Sequence, residues 1–482
     1  MKTLNIAIEN SQSKLYLKIA EAIRNAIKCG AVMPAEKLPS ARTLAVQLSV
    51  NRHTIMAAYN ELIAQGWVET KQRQGYTVAE MLPIYSSLTN KAKKICQGEK
   101  HSWRVVKPNK DSLTRPANDY QFNFAGGNPD IELFPFNEFR GFINEALSRP
   151  SIKELNYGEN SGYKPFIKEV STYLRRVRAV IDKEIVVVNG TQEALYILSQ
   201  VLLKKGDKVA VENLGYRPAW AALKNAGAEL VGIKQTDQGI DVDDFESLIK
   251  QDKIRLLYLT PLHQYPTTTT LSGAKRVQIY KLAQQYNIPI IEDDYDHEFH
   301  YNSQPLPPMA ANDPSGLVIY LSSFSKIMFP GIRLGIIAVD KSLAQHIVSY
   351  RTLMNHKANV LLQDAVARWM KDGGFERHLR KSTRQYQKRR KCMVELLNGF
   401  IEEGLKIKFT IPKGGMALWI NVGNNAEEIA CLAKKQGIFL LAENAFHLNP
   451  KKNENKFIRL GFAGQSENKI RKGLLLLKPL LA

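Results

Sequence analysis

Short apolar runs alternate with helical segments through the middle of the chain, and this alternation limits the possible folds more than any other feature. The runs are rich in Val, Ile and Leu and cover residues 185–188, 208–211, 255–259, 288–291, 318–321 and 335–338. Short apolar runs separated by helices are typical of a parallel sheet flanked by helices. We therefore expect an α/β domain with a mainly parallel central sheet.

Length and charge distribution predict more than one domain. The chain has 482 residues, which is too long for one ordinary hydrophobic core. Residues 81–118 contain eight Lys or Arg against two Asp or Glu, and few apolar residues at regular spacing. We predict a first domain over residues 1–80, a basic flexible linker over 81–118 and a large domain over 119–482. The net charge of +21 favours polyanionic partners without naming one.

Membrane and metal sites are not indicated by the sequence. No stretch approaches the roughly 18 apolar residues that cross a bilayer, and the first residues lack a signal-peptide pattern. The four cysteines are scattered and form no CxxC pair. We expect a soluble, cytoplasmic protein without a disulfide framework or a zinc site.

The first eighty residues predict three helices followed by a two-stranded wing. Helical spacing covers residues 14–30, a second helix runs from Ser40 to Leu48, and a third covers residues 51–65 after a tight turn. Strands at 67–70 and 76–78 flank a polar tip. This order of elements is the order of a winged helix-turn-helix domain.

A winged helix-turn-helix places the N-terminal residues of its recognition helix at base edges in the major groove. Arg and Asn at those positions can distinguish guanine and adenine by paired hydrogen bonds, while residues of the supporting helix and wing contact phosphates or the minor groove. A solvated helix face is the alternative for an isolated helix, but the whole order of elements favours DNA. For the wing, the two interpretations are equally supported. The predicted DNA-contacting residues are Ser40, Arg42, Asn51, Arg52, His53, Lys71 and Arg73.

Polar residues follow the predicted strands of the large domain. One predicted strand is followed by Ser-Phe-Ser-Lys at 323–326, and another by Asp-Asp-Tyr at 293–295. Such residues meet the needs of pyridoxal phosphate, which are a lysine that forms an imine, an acid for the pyridine nitrogen, a phosphate cup and a flat partner for its ring. A glycine at a helix start, as in Asn-Gly-Thr-Gln, offers free amides to a phosphate. Either acid of the Asp-Asp pair can serve from sequence alone, and the aromatic candidate can instead be a core residue. The candidates are Gly190, Thr191, Gln192, Tyr216, Asp293, Tyr295, Ser323, Ser325, Lys326 and Arg333.

Two further basic features remain outside this set. Arg459 lies in an apolar strand, where an arginine needs an anionic partner, either a ligand carboxylate or a buried acid. Basic residues at helical spacing between residues 377 and 391 predict either an additional DNA-facing surface or a solvated helix face. The sequence does not decide between the two interpretations.

The stretch Leu-Pro-Ser-Ala-Arg-Thr-Leu-Ala at 38–45, with its continuation to Leu62, resembles the GntR-type winged helix over residues 10–79. Residues 119–482 resemble fold-type I aminotransferases, so the whole chain resembles the MocR subfamily of GntR regulators. The resemblance implies pyridoxal phosphate on Lys326, selects Asp293 over Asp294, and implies a head-to-tail homodimer that binds a double-stranded DNA operator. It also implies an effector that is an amino compound, such as GABA, or pyridoxal phosphate itself.

The sequence departs from the aminotransferase pattern at one place. Where many aminotransferases have Asn-Pro-Thr-Gly, this chain has Tyr265-Pro266-Thr267-Thr268, without the Asn that holds the cofactor's phenolic oxygen. The resemblance therefore favours a regulator with little or no transaminase turnover. An active aminotransferase with a DNA-binding module and a DNA-binding scaffold with a dead pocket are the alternatives.

Overall fold

The computed structural model describes residues 14–71, 75–83, 120–148, 150, 152–156, 158–301, 304–423, 425–450 and 455–482. The chain divides into two compact units, residues 1–106 and 107–482. Most of the predicted linker, residues 84–118, lies outside the described residues, so the predicted boundaries at 80 and 118 stay predictions.

The N-terminal unit contains three helices and a hairpin, as the sequence predicts. The elements are α1 (Leu15–Lys28), α2 (Ala41–Leu48), α3 (Arg52–Ala64), β1 (Val68–Lys71) and β2 (Gly75–Val78). Ser40 and Asn51 cap α2 and α3, because each side chain accepts a hydrogen bond from a backbone amide of the first turn. Ser49 between these helices adopts a left-handed backbone with φ 54°, which makes the tight turn.

A buried tyrosine fixes the recognition helix in the N-terminal unit. The hydroxyl of Tyr59, on α3, donates to the carbonyl of Pro39 at 2.8 Å, immediately before α2. Its ring lies 4.3 Å from the ring of Tyr76 in β2. With Ile23 of α1 and Leu44 of α2 in the same core, α3 is held against every other element of this unit. The position of its N-terminus is therefore determined by packing.

The large unit alternates helices and strands. Its helices are α4 (Phe136–Ser148), α5 (Ile152–Leu155), α6 (Lys164–Arg178), α7 (Thr191–Leu202), α8 (Arg217–Asn225), α9 (Val242–Gln251), α10 (Gly273–Gln285), α11 (Lys341–Met354), α12 (Val360–Lys371), α13 (Gly374–Glu402), α14 (Ala426–Lys435) and α15 (Glu467–Leu477). Its strands are β3 (Phe122–Asn123), β4 (Glu184–Val188), β5 (Lys208–Glu212), β6 (Glu229–Ile233), β7 (Gln235–Thr236), β8 (Gly239–Ile240), β9 (Ile254–Leu259), β10 (Ile290–Asp293), β11 (Val318–Ser323), β12 (Gly335–Val339), β13 (Lys408–Phe409), β14 (Ala417–Asn421), β15 (Ile438–Phe439), β16 (Leu441–Ala442) and β17 (Phe457–Gly461).

A seven-stranded sheet forms the centre of this unit, in the order β4-β12-β11-β10-β9-β5-β6. Strand β12 is antiparallel to both of its neighbours, and all other adjacent pairs are parallel. The predicted α/β class with a mainly parallel sheet is confirmed. Because every strand except β12 runs in the same direction, their carboxyl ends lie along one edge of the sheet.

Two strands of the central sheet differ most from the sequence prediction. Strand β10 begins at Ile290, not at residue 288, because Ile288 bonds back to the end of α10 and Pro289 has no amide hydrogen. The strand extends instead to Asp293, so this acid belongs to the strand itself. The edge strand β6 was missed, since it is only half-buried and contains a glycine.

A smaller antiparallel sheet completes the unit, in the order β13-β14-β17-β16. The predicted strand around Arg459 is β17, in which Arg459 is paired with Trp419 of β14 and Leu441 of β16. Among the helices that the structure describes, none has both the length and the apolar character required to cross a bilayer.

Candidate functional site

The polar residues predicted from the strand ends lie along the carboxyl edge of the central sheet. Asp293 is the last residue of β10, and Ser323 is the last residue of β11. Gly190 and Tyr216 follow β4 and β5 and cap the helices α7 and α8. Lys326 lies three residues after β11. The sheet thus brings residues from four segments of the chain to one edge.

The ammonium group of Lys326 is partly buried and donates a hydrogen bond to the carbonyl of Gly127 at 2.5 Å. Gly127 has φ 73°, and a Cβ built on it lies 3.6 Å from Lys326 Nζ and 3.9 Å from Arg459 Nη1. Lys326 and Arg459 therefore reach the same point. Ser323 is buried, and its Oγ accepts from the amide of Ser325 at 3.2 Å.

Three consecutive acids at the end of β10 have different partners. Successive side chains of a strand point to opposite faces. Glu292 and Asp294 are buried on one face, where Glu292 accepts from the amides of Met309 and Ala310. Asp294 accepts from Arg178 at 2.7 Å and from the Tyr320 hydroxyl at 2.7 Å. Burial opposes ionisation, but the charge of Arg178 keeps the pKa of Asp294 below its ordinary value.

Asp293 points to the opposite face and keeps one oxygen free. Its Oδ2 accepts from the hydroxyl of Tyr258 at 2.9 Å, while Oδ1 is buried without a hydrogen-bond partner among the described residues. Burial raises the pKa of Asp293 to about 7, despite the opposing effects of Tyr258 and Lys326. A buried carboxylate with a free oxygen suits a protonated ring nitrogen. The contacts thus distinguish Asp293 from Asp294, and the role predicted for Asp293 stays a prediction.

A glycine and an arginine form the predicted phosphate cup. Gly190 has φ 89° and precedes α7, whose first amides, at Thr191 and Gln192, have no partners within the helix. Arg333 donates from Nη2 to the carbonyl of Asn189 at 2.6 Å. A Cβ on Gly190 would lie 3.0 Å from this guanidinium. Only glycine leaves this space open beside a helix N-terminus and a cation, a combination that suits a phosphate.

Arg459 is buried with incomplete hydrogen bonding. Its Nη1 donates to the carbonyl of Ala125 at 3.2 Å, and its Nε has no partner in the described residues. The guanidinium lies 4.7 Å from the ring centre of Tyr265. A cation–π contact offsets only part of the cost of burying a charge. The arginine is therefore suited to bind an anion.

Aromatic rings surround Arg459 and Tyr265. Tyr265 makes edge contacts with Tyr216 at 5.4 Å, with Phe446 at 5.5 Å and with Tyr295 at 6.3 Å. The hydroxyl of Tyr295, predicted to donate to the cofactor, donates here to the carbonyl of His263 at 3.0 Å. Gln192 donates to the carbonyl of Pro218 at 2.9 Å. The roles predicted for these side chains stay predictions.

The sequence did not indicate the contacts of four residues of this region. Gly126 and Gly127 permit the close approach of Arg459 and Lys326, and a Cβ on Gly126 would lie 1.8 Å from Arg459 Nη1. Tyr258 holds Asp293, and Tyr265 covers Arg459. The Gly-Gly pair at 126–127 was the available signal, since adjacent glycines mark close backbone approach. Nothing in the sequence near Tyr258 indicated its role.

The predicted DNA-contacting residues lie at the starts of α2 and α3. Arg42, Arg52 and His53 are exposed. Ser40 and Asn51 are also exposed, but Asn51 Oδ1 already accepts from the amide of His53 at 2.9 Å. A paired contact from Asn51 to adenine would therefore compete with its helix cap. In the wing, Lys71 is the last residue of β1, and Arg73 lies outside the described residues.

Family comparisons match both units. Residues 15–78 match the family model "Bacterial regulatory proteins, gntR family", and residues 121–475 match "Aminotransferase class I and II". The probable rhizopine catabolism regulatory protein MocR of Rhizobium meliloti is 30% identical over 95% of this chain and 92% of its own length. The HTH-type transcriptional regulator TauR of Rhodobacter capsulatus is 26% identical over 96% of each chain.

Solved structures resemble the large unit. The kynurenine aminotransferase of Pyrococcus horikoshii has a TM-score of 0.70 and 29% identity, covering 76% of this chain and 91% of its own. LysN of Thermus thermophilus, complexed with N-(5'-phosphopyridoxyl)-L-leucine, has a TM-score of 0.68 and 25% identity over 75% and 92%. These likenesses identify pyridoxal phosphate as the cofactor of this unit.

We predict that the purified protein absorbs visible light and that Lys326→Ala abolishes this absorbance, because a lysine-bound cofactor absorbs in the visible range. Borohydride reduction should bleach the unmodified protein. The exposed Lys341→Ala variant is the matched control and should keep the absorbance. Retention of the band by Lys326→Ala would mean that another lysine holds the cofactor.

We also predict that the two adjacent acids respond differently to removal of their charge. Asp294→Asn should destabilise the protein by about 3–5 kcal/mol, because it leaves the buried Arg178 without its partner. Asp293→Asn should keep the fold but bind pyridoxal phosphate at least about tenfold more weakly, the result of losing about 1.4 kcal/mol. Urea unfolding and cofactor titration of both variants measure these effects.

The pH dependence of unfolding tests the environment of Asp293 separately. Folded cofactor-free protein keeps a proton on Asp293 up to about pH 7, whereas an unfolded chain releases it near pH 4. The contribution of Asp293 to stability is therefore present below about pH 4 and is lost as the pH rises to about 7, and Asp293→Asn should lack this part of the pH dependence. An unchanged pH dependence in Asp293→Asn would contradict the assignment.

Proposed function

Since this chain belongs to the MocR-type regulators, which join a GntR-family DNA-binding domain to an aminotransferase class I and II domain, we propose that it controls operator binding by sensing a small amino compound or pyridoxal phosphate. The first domain binds the operator as double-stranded DNA. The second domain holds the cofactor and the effector.

Residues at the sheet edge hold the cofactor. When bound, pyridoxal phosphate supplies an aldehyde that reacts reversibly with amines. Lys326 provides the attaching amine, Asp293 keeps the ring nitrogen protonated, and Gly190, Arg333 and Ser323 bind the phosphate. The free Oδ1 of Asp293 and the open cradle at Gly190 support these roles.

One observation supports an effector with both an amine and a carboxylate. Lys326 Nζ and Arg459 Nη1 lie within 3.6 and 3.9 Å of the same point beside Gly127. A single small ligand can therefore present its amine to the Lys326 end and its carboxylate to Arg459. The unpartnered Nε of Arg459 is available for that carboxylate.

Turnover is slow in this proposal, because the residue in the position of the aminotransferase Asn is Tyr265. Its ring covers Arg459 and cannot bind the cofactor's phenolic oxygen as an amide does. Thr268, at the position of the closing glycine, is held at φ 62°, a strained conformation for a β-branched residue. These departures and the DNA-binding domain disfavour the alternative of an aminotransferase with a DNA tether.

A homodimer, with its subunits head to tail, carries two DNA-binding domains in this proposal. A ligand shifts operator affinity only if it favours one arrangement of the protein over another. Two DNA-binding domains on one dimer gain affinity only when both bind at once. The spacing of the two half-sites therefore determines whether the ligand can act.

We expect Arg52→Ala to weaken specific operator binding by about 1–3 kcal/mol, roughly 5- to 150-fold, because one paired base contact is lost. Cofactor absorbance should be unchanged. Arg24→Ala is a control, since Arg24 of α1 pairs with Gln65 within the domain. Lys71→Ala should weaken binding similarly for all sequences. Equal affinity of Arg52→Ala and the unmodified protein would exclude Arg52 from base recognition.

We expect transamination of simple amino acids with keto acids to be slower than about 1 per second, the lower end of typical enzyme turnover. The substitution of Tyr for Asn at position 265 is the physical reason. Stopped-flow and product assays measure this rate, with Lys326→Ala as the blank. Turnover within the ordinary enzyme range would favour the aminotransferase alternative.

We expect the protein to bind two repeated half-sites as a dimer. The operator affinity of this dimer should change by about 5- to 150-fold when the effector binds. Inserting half a helical turn between half-sites should reduce both the affinity and this change. Both effects are measured by gel-shift titration of the cofactor-bound protein with candidate amino acids, amines and pyridoxal phosphate. If operator affinity changes with neither the ligand nor the spacing, the two domains act independently and the proposed function fails.

A further inference from the structure

Helix α13 carries a row of cations on its solvent side. Apart from one adjacent pair, the residues follow at intervals of three or four, so they project from one face of the helix. They are exposed, and we call them the basic face of α13: Arg377, Arg380, Lys381, Arg384, Lys388 and Lys391. The opposite side of α13 is buried in the core through Tyr386, Met393 and Leu397. Core packing therefore fixes the direction in which the basic face points.

Most of these charges are not neutralised by the protein. Arg377 pairs with Asp372 at 2.7 Å and Glu138 at 3.1 Å, and Lys391 lies 3.8 Å from Glu395. The other four cations form no ion pair within the described part of the chain: Arg380, Lys381, Arg384 and Lys388. Like charges one helical turn apart destabilise a helix. A polyanion bound to this face would remove that repulsion.

The dimensions of the basic face suit a nucleic-acid backbone. Its side chains, with Gln385 and Gln387, line a shallow groove of about 620 Å³. From Arg377 to Lys391 the helix rises roughly 21 Å at 1.5 Å per residue. One strand of duplex DNA carries roughly six phosphates over that length. The groove thus presents six cations for about six phosphates, and four of these cations have no acidic partner among the described residues.

We propose that the basic face of α13 is a second DNA-binding surface, which binds phosphates of duplex DNA without reading their sequence. Protein interfaces are usually depleted in lysine and rely on aromatic anchors. The groove is lined by Arg, Lys and Gln side chains alone. This composition favours DNA over an acidic protein. The surface lies in the aminotransferase-like domain, outside the segment that matches the GntR model.

The test compares two full-length variants that each lose four positive charges. One is Arg380→Ala/Lys381→Ala/Arg384→Ala/Lys388→Ala. The matched control is Lys204→Ala/Lys205→Ala/Lys434→Ala/Lys435→Ala, which removes four exposed lysines elsewhere on the same domain. The probe is a duplex of 40 base pairs of random sequence, roughly four helical turns long. Fluorescence anisotropy measures its binding between 50 and 200 mM KCl, a range in which phosphate contacts dominate the salt dependence.

The proposal predicts that the α13 variant binds this duplex at least about tenfold more weakly at 100 mM salt. Its plot of log affinity against log salt should be less steep by about two to four, at 0.9 for each lost phosphate contact. The slope of the control variant should change by less than about one. Equal behaviour of the two variants would overturn the proposal and leave an acidic protein as the partner of this face.

Repeating the comparison in the Arg52→Ala background separates this surface from the recognition helix. The difference between the α13 variant and its control should persist there, because it does not depend on base contacts. Unchanged cofactor absorbance confirms that both variants are folded. A difference that disappears with Arg52 would overturn the proposal, since the α13 effect would then be exerted through the recognition helix.

Discussion

The buried ion pair between Arg178 and Asp294 determines which acid at the end of β10 keeps a free carboxylate oxygen. Arg178 and the Tyr320 hydroxyl satisfy Asp294 on one face of the strand, the face that Glu292 also occupies. Because side chains alternate along a strand, Asp293 then points to the opposite face. There it has one partner, Tyr258, and one free oxygen. The proposed cofactor site depends on this difference between three consecutive acids.

The positions of Lys326, Gly190 and Asp293 at one sheet edge could be predicted, because strand ends in a parallel sheet coincide. The family resemblance selects Asp293 over Asp294, but local patterns leave this choice open, since it depends on Arg178, which lies 116 residues away in sequence. Gly127 is 199 residues from Lys326 and is brought to it only by the tertiary structure. Local patterns thus indicate strand ends, while the partners that tune each side chain come from distant segments.

Helix caps show the same limit in the DNA-binding domain. The helix starts at Ser40 and Asn51 were predictable from their residue types. The competition between the cap and a base contact at Asn51 emerges only from the 2.9 Å bond to His53. The side chain of Arg52 forms no hydrogen bond or ion pair with the described residues, and it is exposed at the helix start. It is therefore better placed than Asn51 for base recognition.

Communication between the pocket and the operator requires that a ligand change contacts inside the large domain. Arg459 is held by the carbonyl of Ala125 and the ring of Tyr265, which belong to two different segments. In the proposed function, a carboxylate binds the free Nε of a guanidinium that already contacts both segments. The ligand is therefore linked to two segments at once, which gives the pocket a physical means of favouring one arrangement of the protein.

Reciprocity of binding tests this coupling most directly. If an effector changes operator affinity by some factor, thermodynamic linkage requires that the operator change effector affinity by the same factor. Effector titrations of the cofactor-bound protein, followed by its visible absorbance with and without saturating operator, measure that second factor. We predict a change of about 5- to 150-fold that equals the effect on operator affinity. Identical effector affinities in the two titrations would contradict the account.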